Sequence, residues 1–573
     1  MEEKFSKSAY WSFLLWGVCS SLGVTVSTLV DAVLVGNLIG SDGLAVANLA
    51  TPVFLAYSLF GLTIGVGANV LVGRKLGASD VTGANRLFRA QVLLGAVVGV
   101  LCLALSVLFR DQLCRFLGAR GALLPLARQY LTVVFFSAPV FVLYHILAVS
   151  VRTDSDPKRA ALASAVVIVT NLSLDLLFMQ GFQWGIVGAS ASLCIAEALG
   201  AAVLLSHFFK RHALLRIGLA LPTAADIRDF VGNGFGVGSA FIFQAVVMLA
   251  FNTLLLADGG PECVIYVAVF GVIYTMSTVP FAVFDGAGGA LAPVVSIFAG
   301  ERDSKSMMTV LDLGLKIVAG AGAGLALAFL LGAEAIVGFF GLAGNGALPT
   351  AVLAFRIFSV SILFTGVNSL VTAFWQAIGR ARLAGALSVA RNFVLMLALG
   401  FALISRYQIV GLSMTYLCSE ALCLLGVLLV RLFRGSGAYV GKKYASANRV
   451  YERYYTIQTE SIAQISADLE GLCEAWEIGP KQTFFINLIV EELILNIIKF
   501  GLKDTGGKHY IAVKLLDNGG EYVIRIRDNV NTYNPFDSDG DDIDNAVIGM
   551  ISQKTKYCDY QRKLIFNYLY LIV

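Results

Sequence analysis

Five carboxylates fall inside stretches that are otherwise almost free of charge: Asp31, Asp175, Glu197, Asp285 and Glu420. A carboxylate at the centre of a bilayer costs about 2.5 to 3.5 kcal/mol on insertion scales, so each needs a partner or a task. Asp31 follows Ser27 and Thr28 by four and three residues, and Asp175 follows Asn171 by four, so at helical spacing each set shares one face. Carboxylate, amide and hydroxyl oxygens converging from two helices can hold a hard cation such as Na⁺ or share a proton. Either event neutralises the carboxylates and shifts which conformation of the surrounding bundle is preferred. The plainer alternative is that Asp31 and Asp175 bond each other, or backbone, across a packed bundle. Asp285, in FAVFDGAGGALAPVV, stands among small residues that permit close helix approach, either as a further acidic site or as a polar anchor at a bend. Glu197 and Glu420 occupy matching places late in two apolar stretches, which argues for a structural role. A lone His145 is more often a helix contact than a proton shuttle.

The elements that must hold these groups follow from composition. The chain has 573 residues, 57% hydrophobic and only 14% charged, where soluble proteins carry about 25% charged. A row of soluble domains is excluded. Residues 1–444 hold 29 Lys+Arg and 20 Asp+Glu, whereas the last 129 hold 13 and 18, so a large membrane part precedes a small soluble one. The net charge of +4 sums a basic first part and an acidic second part, and no nucleic-acid surface is implied. None of the nine cysteines forms a CxxC pair, which leaves a metal cluster or a disulfide framework unsupported. The start, MEEKFSKSAYWSFLLWG, lacks a small-residue cleavage site and reads as a retained first span.

At about 20 apolar residues per crossing, the sequence predicts twelve helices, at 10–33, 45–70, 90–109, 129–151, 160–180, 186–208, 232–257, 264–298, 314–333, 348–378, 384–404 and 408–431. Loops on one side hold 17 Lys and Arg against 5 on the other, which places both termini in the cytosol of a multi-pass plasma-membrane protein. Loops half a chain apart resemble each other: GANVLVGRKLGASDVTGANRLFR (67–89) against GGALAPVVSIFAGERDSKSMMTVL (288–311), and SVRTDSDPKRAALASAVVIVTN (150–171) against FWQAIGRARLAGALSVARN (374–392). An even helix count per half makes the repeats parallel, as in transporters that rock one bundle against another.

Residues 1–435 resemble the multidrug and toxic compound extrusion (MATE) transporters, through LVDAVLVGNLIGSDGLAVANLATPV (29–53), RTDSDPKRA (152–160), TNLSLDLLFMQGFQWGIVGASAS (170–192) and AFWQAIGRARLAGALSVAR (373–391). The resemblance implies export of amphiphilic, often cationic compounds driven by inward Na⁺ or H⁺. It also implies a cation site in the first bundle, carried here by Asp31, Asn171 and Asp175, with Asp285 a candidate equivalent in the second. Where that family often has Thr after its G-A-A-x-A pattern, this chain reads GASAS and then Leu193, so Ser190 or Ser192 must supply the hydroxyl.

The tail lacks a Walker motif, since GAYVGKK (437–443) has the wrong spacing. Its pattern predicts helices over 459–476, 481–501 and near 546–553, and strands over 510–516, 522–528 and 565–573. It resembles the GHKL ATP-binding fold, and anti-sigma-factor serine kinases in particular, through VEELILNIIKFG (490–501), IRDNVNTYNPFD (526–537), IGMI (548–551) and YCDYQRKLIFNYLYL (557–571). That resemblance implies Glu492 as general base, Asn496 holding Mg²⁺, Asp528 on the adenine, and Asn534 and Gly549 at the nucleotide. Val530 stands where the family has Gly, the phosphate loop is reduced to Gly549, and DSDGDDIDN (537–545) adds acids.

The expected architecture is therefore an all-α polytopic membrane protein, two six-helix bundles over 1–220 and 221–435. A linker over 436–455 and a C-terminal GHKL-like α/β sandwich over 456–573 complete it. The expected function is ion-coupled export of drugs or other amphiphiles, with the tail regulatory and a candidate for ATP·Mg²⁺ or a cytosolic protein partner. A membrane sensor with an anti-sigma-like kinase tail and a lipid-linked precursor flippase are the competing expectations.

Overall fold

The computed structural model describes residues 2–39, 41–117, 119, 123–211, 213–256, 261–301, 303–338, 348–434, 449–502, 509–517, 521–537 and 543–573. They fall into two compact units, Tyr10–Lys443 in one and Met1–Ala9 with Tyr444–Val573 in the other. The larger unit is built of helices: α1 (Glu2–Leu38, whose first turns belong to the smaller unit), α2 (Ser41–Gly77), α3 (Val81–Leu108), α4 (Arg110–Phe116), α5 (Leu123–Thr153), α6 (Pro157–Asp175), α7 (Gly185–Leu205), α8 (Ala224–Leu256), α9 (Pro261–Gly300), α10 (Ser304–Val337), α11 (Leu348–Ala377), α12 (Ala381–Val389) and α13 (Leu395–Arg434). Asp80, Asp156 and Asp303 accept hydrogen bonds from the amides of Gly83, Arg159 and Ser306, and so start α3, α6 and α10 as N-caps.

Eleven stretches among the described residues are long and apolar enough to cross a bilayer, the last being Ala381–Phe433 at 53 residues. As one helix it would run roughly 80 Å against ~30 Å of hydrocarbon. It turns back at Gln408, whose φ of 50° and ψ of −128° leave helical space. A Cβ on Gly411 would stand 2.0 Å from the Leu403 carbonyl oxygen, a proximity that a straight helix excludes. This stretch therefore makes two passes, and the eleven stretches amount to the twelve expected crossings.

The repeat has a backbone signature. Ser155 and Gly379, aligned by the matching loops, both adopt left-handed conformations, with φ of 68° and 71°. Each precedes the start of a helix that ends in a π-helical turn, Leu176–Gly181 after α6 and Ala390–Val394 after α12. The two halves touch along α2 and α9, where a Cβ on Gly77 would lie 2.0 Å from the Ile297 carbonyl oxygen. Glycine there lets two backbones pack directly.

In the smaller unit, β1 (Val450–Thr456), α14 (Glu460–Ala475), α15 (Pro480–Asn496), β2 (Tyr510–Asp517), β3 (Tyr522–Asp528), α16 (Ile543–Lys554), β4 (Tyr557–Lys563) and β5 (Phe566–Ile572) form one layer of helices on one sheet. Strand order is β1-β2-β3-β5-β4 with every pair antiparallel. Ile511, Val513, Leu515, Ile524, Ile526, Leu569 and Leu571 point inward against Ile465, Leu469, Ile486, Val490 and Leu493 of the helices. The expected helices and strands are present, with two corrections: β1 starts inside the expected linker, and β4 adds an edge. Both are edge strands rich in Tyr and charged residues, so neither reads as an apolar run. Residues 435–448 and 538–542, which include GAYVGKK and most of DSDGDDIDN, lie outside the described residues.

Candidate functional site

Helices α1, α5, α6 and α7 bring together the sequence-predicted coupling residues. Asp175 is fully buried at the last residue of α6, and its carboxyl lies beside that of Asp31 from α1. Asn171, one turn earlier, donates from Nδ2 to Asp175 Oδ2 at 3.1 Å. Ser192 of α7 donates a short hydrogen bond to Asp175 Oδ1, so this Ser, rather than Ser190, supplies the hydroxyl that the GASAS pattern left open. Ser190 turns instead to the backbone of its own helix. Tyr130 of α5, 4% exposed, lies beside both carboxyls. Sequence reasoning missed it, because aromatic residues recur on every span and nothing in its spacing separates it from the rest. The Asn171 Oδ1 atom is buried with no hydrogen-bond partner, an open acceptor facing the cluster's polar chemistry.

Two neighbouring carboxylates repel when both are ionised, so a proton shared between them, or a cation, relieves the repulsion. The arrangement therefore suits a proton held between α1 and α6 and released when they part. Oxygens of Asp31, Asp175, Asn171 and Ser192 also make a donor set that a hard cation accepts.

Asp285 does not join this cluster. It lies in α9 and faces Ser21 Oγ of α1 at 3.5 Å, with Arg152 of α5 close by. A second-half acid is thus met by first-half groups. His145 Nε2 lies 3.1 Å from Ser58 Oγ, a contact between α5 and α2. The two symmetry-matched glutamates differ. Glu420 receives Arg391 Nε at 2.6 Å and Asn368 Nδ2 at 2.7 Å, while Glu197 Oε2 is buried with no hydrogen-bond partner. The RTDSDPKRA loop is a latch, with the two ring nitrogens of His207 at 2.8 Å from Asp154 and 3.1 Å from Asp156, and Lys210 at 2.6 Å from Asp156.

In the tail, the residues of the kinase-like motif lie on α15, β3, the loop after β3 and α16, and several of them are hydrogen-bonded to neighbours in the chain. Asn496 donates to the Glu492 carbonyl at 2.9 Å, and its Oδ1 accepts the Tyr533 hydroxyl at 3.3 Å. Tyr533 stacks on Phe500 at 5.1 Å. Asp528 Oδ1 accepts Asn567 Nδ2 at 2.7 Å and the Val530 amide at 3.1 Å, and burial pushes its pKa up to about 6. Val530 is 3% exposed and packs onto Gly501, where a Cβ would stand 2.5 Å from Val530 Cγ2. Asn534 caps its own turn by accepting the Phe536 amide. Gly549 sits inside α16, with open space where a Cβ would be, so it forms no loop for phosphates.

Residues 18–177 match the MatE family model. The multidrug export protein MepA of Staphylococcus aureus (strain NCTC 8325 / PS 47) is 24% identical over 425 residues, 72% of this chain and 91% of that protein. MepA of Staphylococcus saprophyticus is 22% identical over 436 residues, 74% and 94% respectively. The structure of an outward-facing multidrug resistance MATE transporter of the MOP superfamily superposes with a TM-score of 0.70 at 21% identity, over 76% of this chain and 96% of that one. A MOP superfamily transporter from Pyrococcus furiosus Vc1 (DSM3638) gives 0.69 at 22%, over 76% and 96%. The fold is that of MATE transporters, and these relatives are nearly spanned while this chain extends beyond them.

Proposed function

We infer that the chain is a MATE-type multidrug exporter whose coupling ion is H⁺, held between Asp31 and Asp175. The observation that carries the ion assignment is the direct contact of two carboxyl groups in the first bundle, with Asn171 and Ser192 on the second of them. When α1 and α6 part, each carboxyl loses the hydrogen bond that held the proton, and the proton leaves to whichever side is open. Entry of the next proton rebuilds the contact and favours the other arrangement of the bundles. The substrate class is amphiphilic organic cations, supported by the likeness to multidrug export proteins. Asp285 is a group between the halves whose contact with Ser21 breaks when they rock.

Both termini are read as cytosolic, a reading supported by the excess of basic residues in alternate loops. The tail is a regulatory domain of the same chain, a reading supported by the packing of Val530 onto Gly501 and by the hydrogen bonds that Asn567 and Tyr533 donate to Asp528 and Asn496. A flippase for lipid pyrophosphates would need inward cations. Arg391 is neutralised by Glu420, and Arg356 is exposed on α11.

The test is efflux of ethidium from proteoliposomes containing the full chain under an imposed pH gradient. Asp31→Asn and Asp175→Asn should each cut gradient-driven efflux to below about a tenth by removing the bistable bond. Ser192→Ala, which removes one hydrogen bond to a charged group, should slow it about fivefold. Efflux that follows a Na⁺ gradient without a pH gradient would overturn the ion assignment, and undiminished efflux in both Asp variants would overturn the site.

A further inference from the structure

The tail's sheet has a second face. Strand register puts Glu452 and Tyr454 of β1, Tyr510 and Ala512 of β2, Arg527 of β3, Lys563 of β4, and Phe566 and Tyr568 of β5 on the side away from the helices. A face that carries Arg and Lys ordinarily meets water, yet Arg527 is 5% exposed and Lys563 2%. Within this unit the chain's own beginning lies on it. Phe5, 2% exposed, has its ring centroid 4.9 Å from Phe566, 5.5 Å from Tyr454 and 6.2 Å from Tyr510. The Arg527 guanidinium carbon stands 5.4 Å from the centre of the same ring. Arg527 is itself held by donating to the Tyr454 hydroxyl at 2.6 Å, with Glu452 at 3.6 Å. Ser6 and Ala9 are also fully buried. One aromatic side chain enclosed by three rings and a positioned guanidinium has the form of an interface anchor.

We propose that the outer face of this sheet is a receptor for the first turns of α1, and that through it the tail regulates the exporter. Phe5 and Asp31 belong to one helix, Glu2–Leu38, so a domain that grips Phe5 restrains the helix whose other part carries a coupling carboxyl. Release of Phe5 frees α1 to move away from α6. The regulatory half of this proposal rests on the reading of Asp31 as a coupling residue, whereas the receptor itself does not.

Hydrogen exchange by mass spectrometry on the detergent-purified full chain, paired with ethidium efflux, tests both halves. Phe5→Ala should raise exchange at 510–517, 522–528 and 566–572 by about tenfold, because the covering side chain is gone. Exchange in α14 and α15 should stay unchanged, which establishes that the tail is still folded. Efflux should change at least about twofold. Phe5→Tyr, which keeps the ring, should leave exchange and efflux close to those of the unaltered protein. Unchanged exchange in Phe5→Ala overturns the receptor, and raised exchange with unchanged efflux overturns the regulation. An unaltered protein that exports nothing overturns the transport reading and leaves the exchange result standing by itself.

Discussion

A buried carboxyl has two ways to exist in a protein, sharing its charge with partners or keeping a proton, and this chain uses both. Asp175 is met by Asp31, Asn171 and Ser192, while Asp528 in the tail is met by Asn567 and a backbone amide. Burial raises the folded pKa of Asp528 to about 6, above that of the unfolded chain. Folding therefore favours its protonated form: the stabilisation is complete below about pH 4 and is lost as the pH climbs past 6. Asp528→Asn keeps an acceptor for Asn567 and cannot ionise, so it should remove this pH dependence. Labelling of the fully buried Cys473 thiol in the full chain reports tail opening. At pH 4 and below the variant and the unaltered chain should open nearly alike, whereas at pH 7.5 the variant should open about tenfold to a hundredfold less often, from a shift of about 3 kcal/mol or less. Equal labelling at both pH values would refute it. Asp31, Asn171 and Asp175 were legible in sequence because a carboxylate in an apolar helix has few roles open to it. Tyr130 was not, since a tyrosine beside them differs in no local way from those elsewhere. The tail's Glu492 and Asn496 were legible as a motif, but the hydrogen bond that Tyr533 donates to Asn496 is not specified by the spacing of those two residues.

Among the elements, the helix starts of the two halves show how far pattern carries. Asp80, Asp156 and Asp303 are readable N-caps, and the left-handed residues before α6 and α12 account for a difference in composition between the repeats. At Gly379 a side chain would be strained by φ of 71° and would also meet the Arg74 guanidinium at 1.3 Å. At Ser155 the φ of 68° is tolerated. Ser155→Gly should be neutral or stabilise by about 0.5 to 1 kcal/mol, depending on how the unfolded chain responds. Gly379→Ser should destabilise by about 1 to 2 kcal/mol from the backbone alone, with the displaced Arg74 adding to that. Melting of the purified protein checks the contrast, and equal melting of the two variants would show that the two loops are not held alike. The spans were legible from hydropathy, because each long apolar run has only one low-energy place to go. The reversal falls at Gln408, the first residue of the twelfth expected span, yet its geometry depends on Gly411 meeting Leu403 and is visible only in three dimensions. β1 and β4 escaped because edge strands with polar residues on both faces carry no period-two apolar signal.

At the scale of the whole chain, the step in charge density near residue 444 separates two units with different ways of being stable, a bundle that buries few charges and a sheet domain of ordinary composition. Within the bundle unit the two matching loop regions start helices alike, but the acids of the two halves meet different partners. In the first half Asp31 and Asp175 lie beside each other, with Asn171 and Ser192 on Asp175 and no Lys or Arg bonded to either among the described residues. In the second half Glu420 is tied by Arg391 and Asn368, with both charged side chains about 10% exposed. This pair and Asn368 tie α11, α13 and the turn after α12 together, so the second half should serve as the fixed partner against which the first half works. Removing one member leaves the other buried and uncompensated, which typically costs about 3 to 5 kcal/mol. Arg391→Gln should therefore lower the melting temperature of the purified protein sharply. The double substitution Arg391→Met with Glu420→Leu should restore much of the loss, since apolar replacement of a buried pair is often neutral. Efflux per folded molecule under a pH gradient should survive in the double variant, in contrast to Asp175→Asn, which should keep the fold and lose the coupling. A double variant that melts normally but no longer responds to the pH gradient would place part of the coupling in the second half and overturn this division of labour.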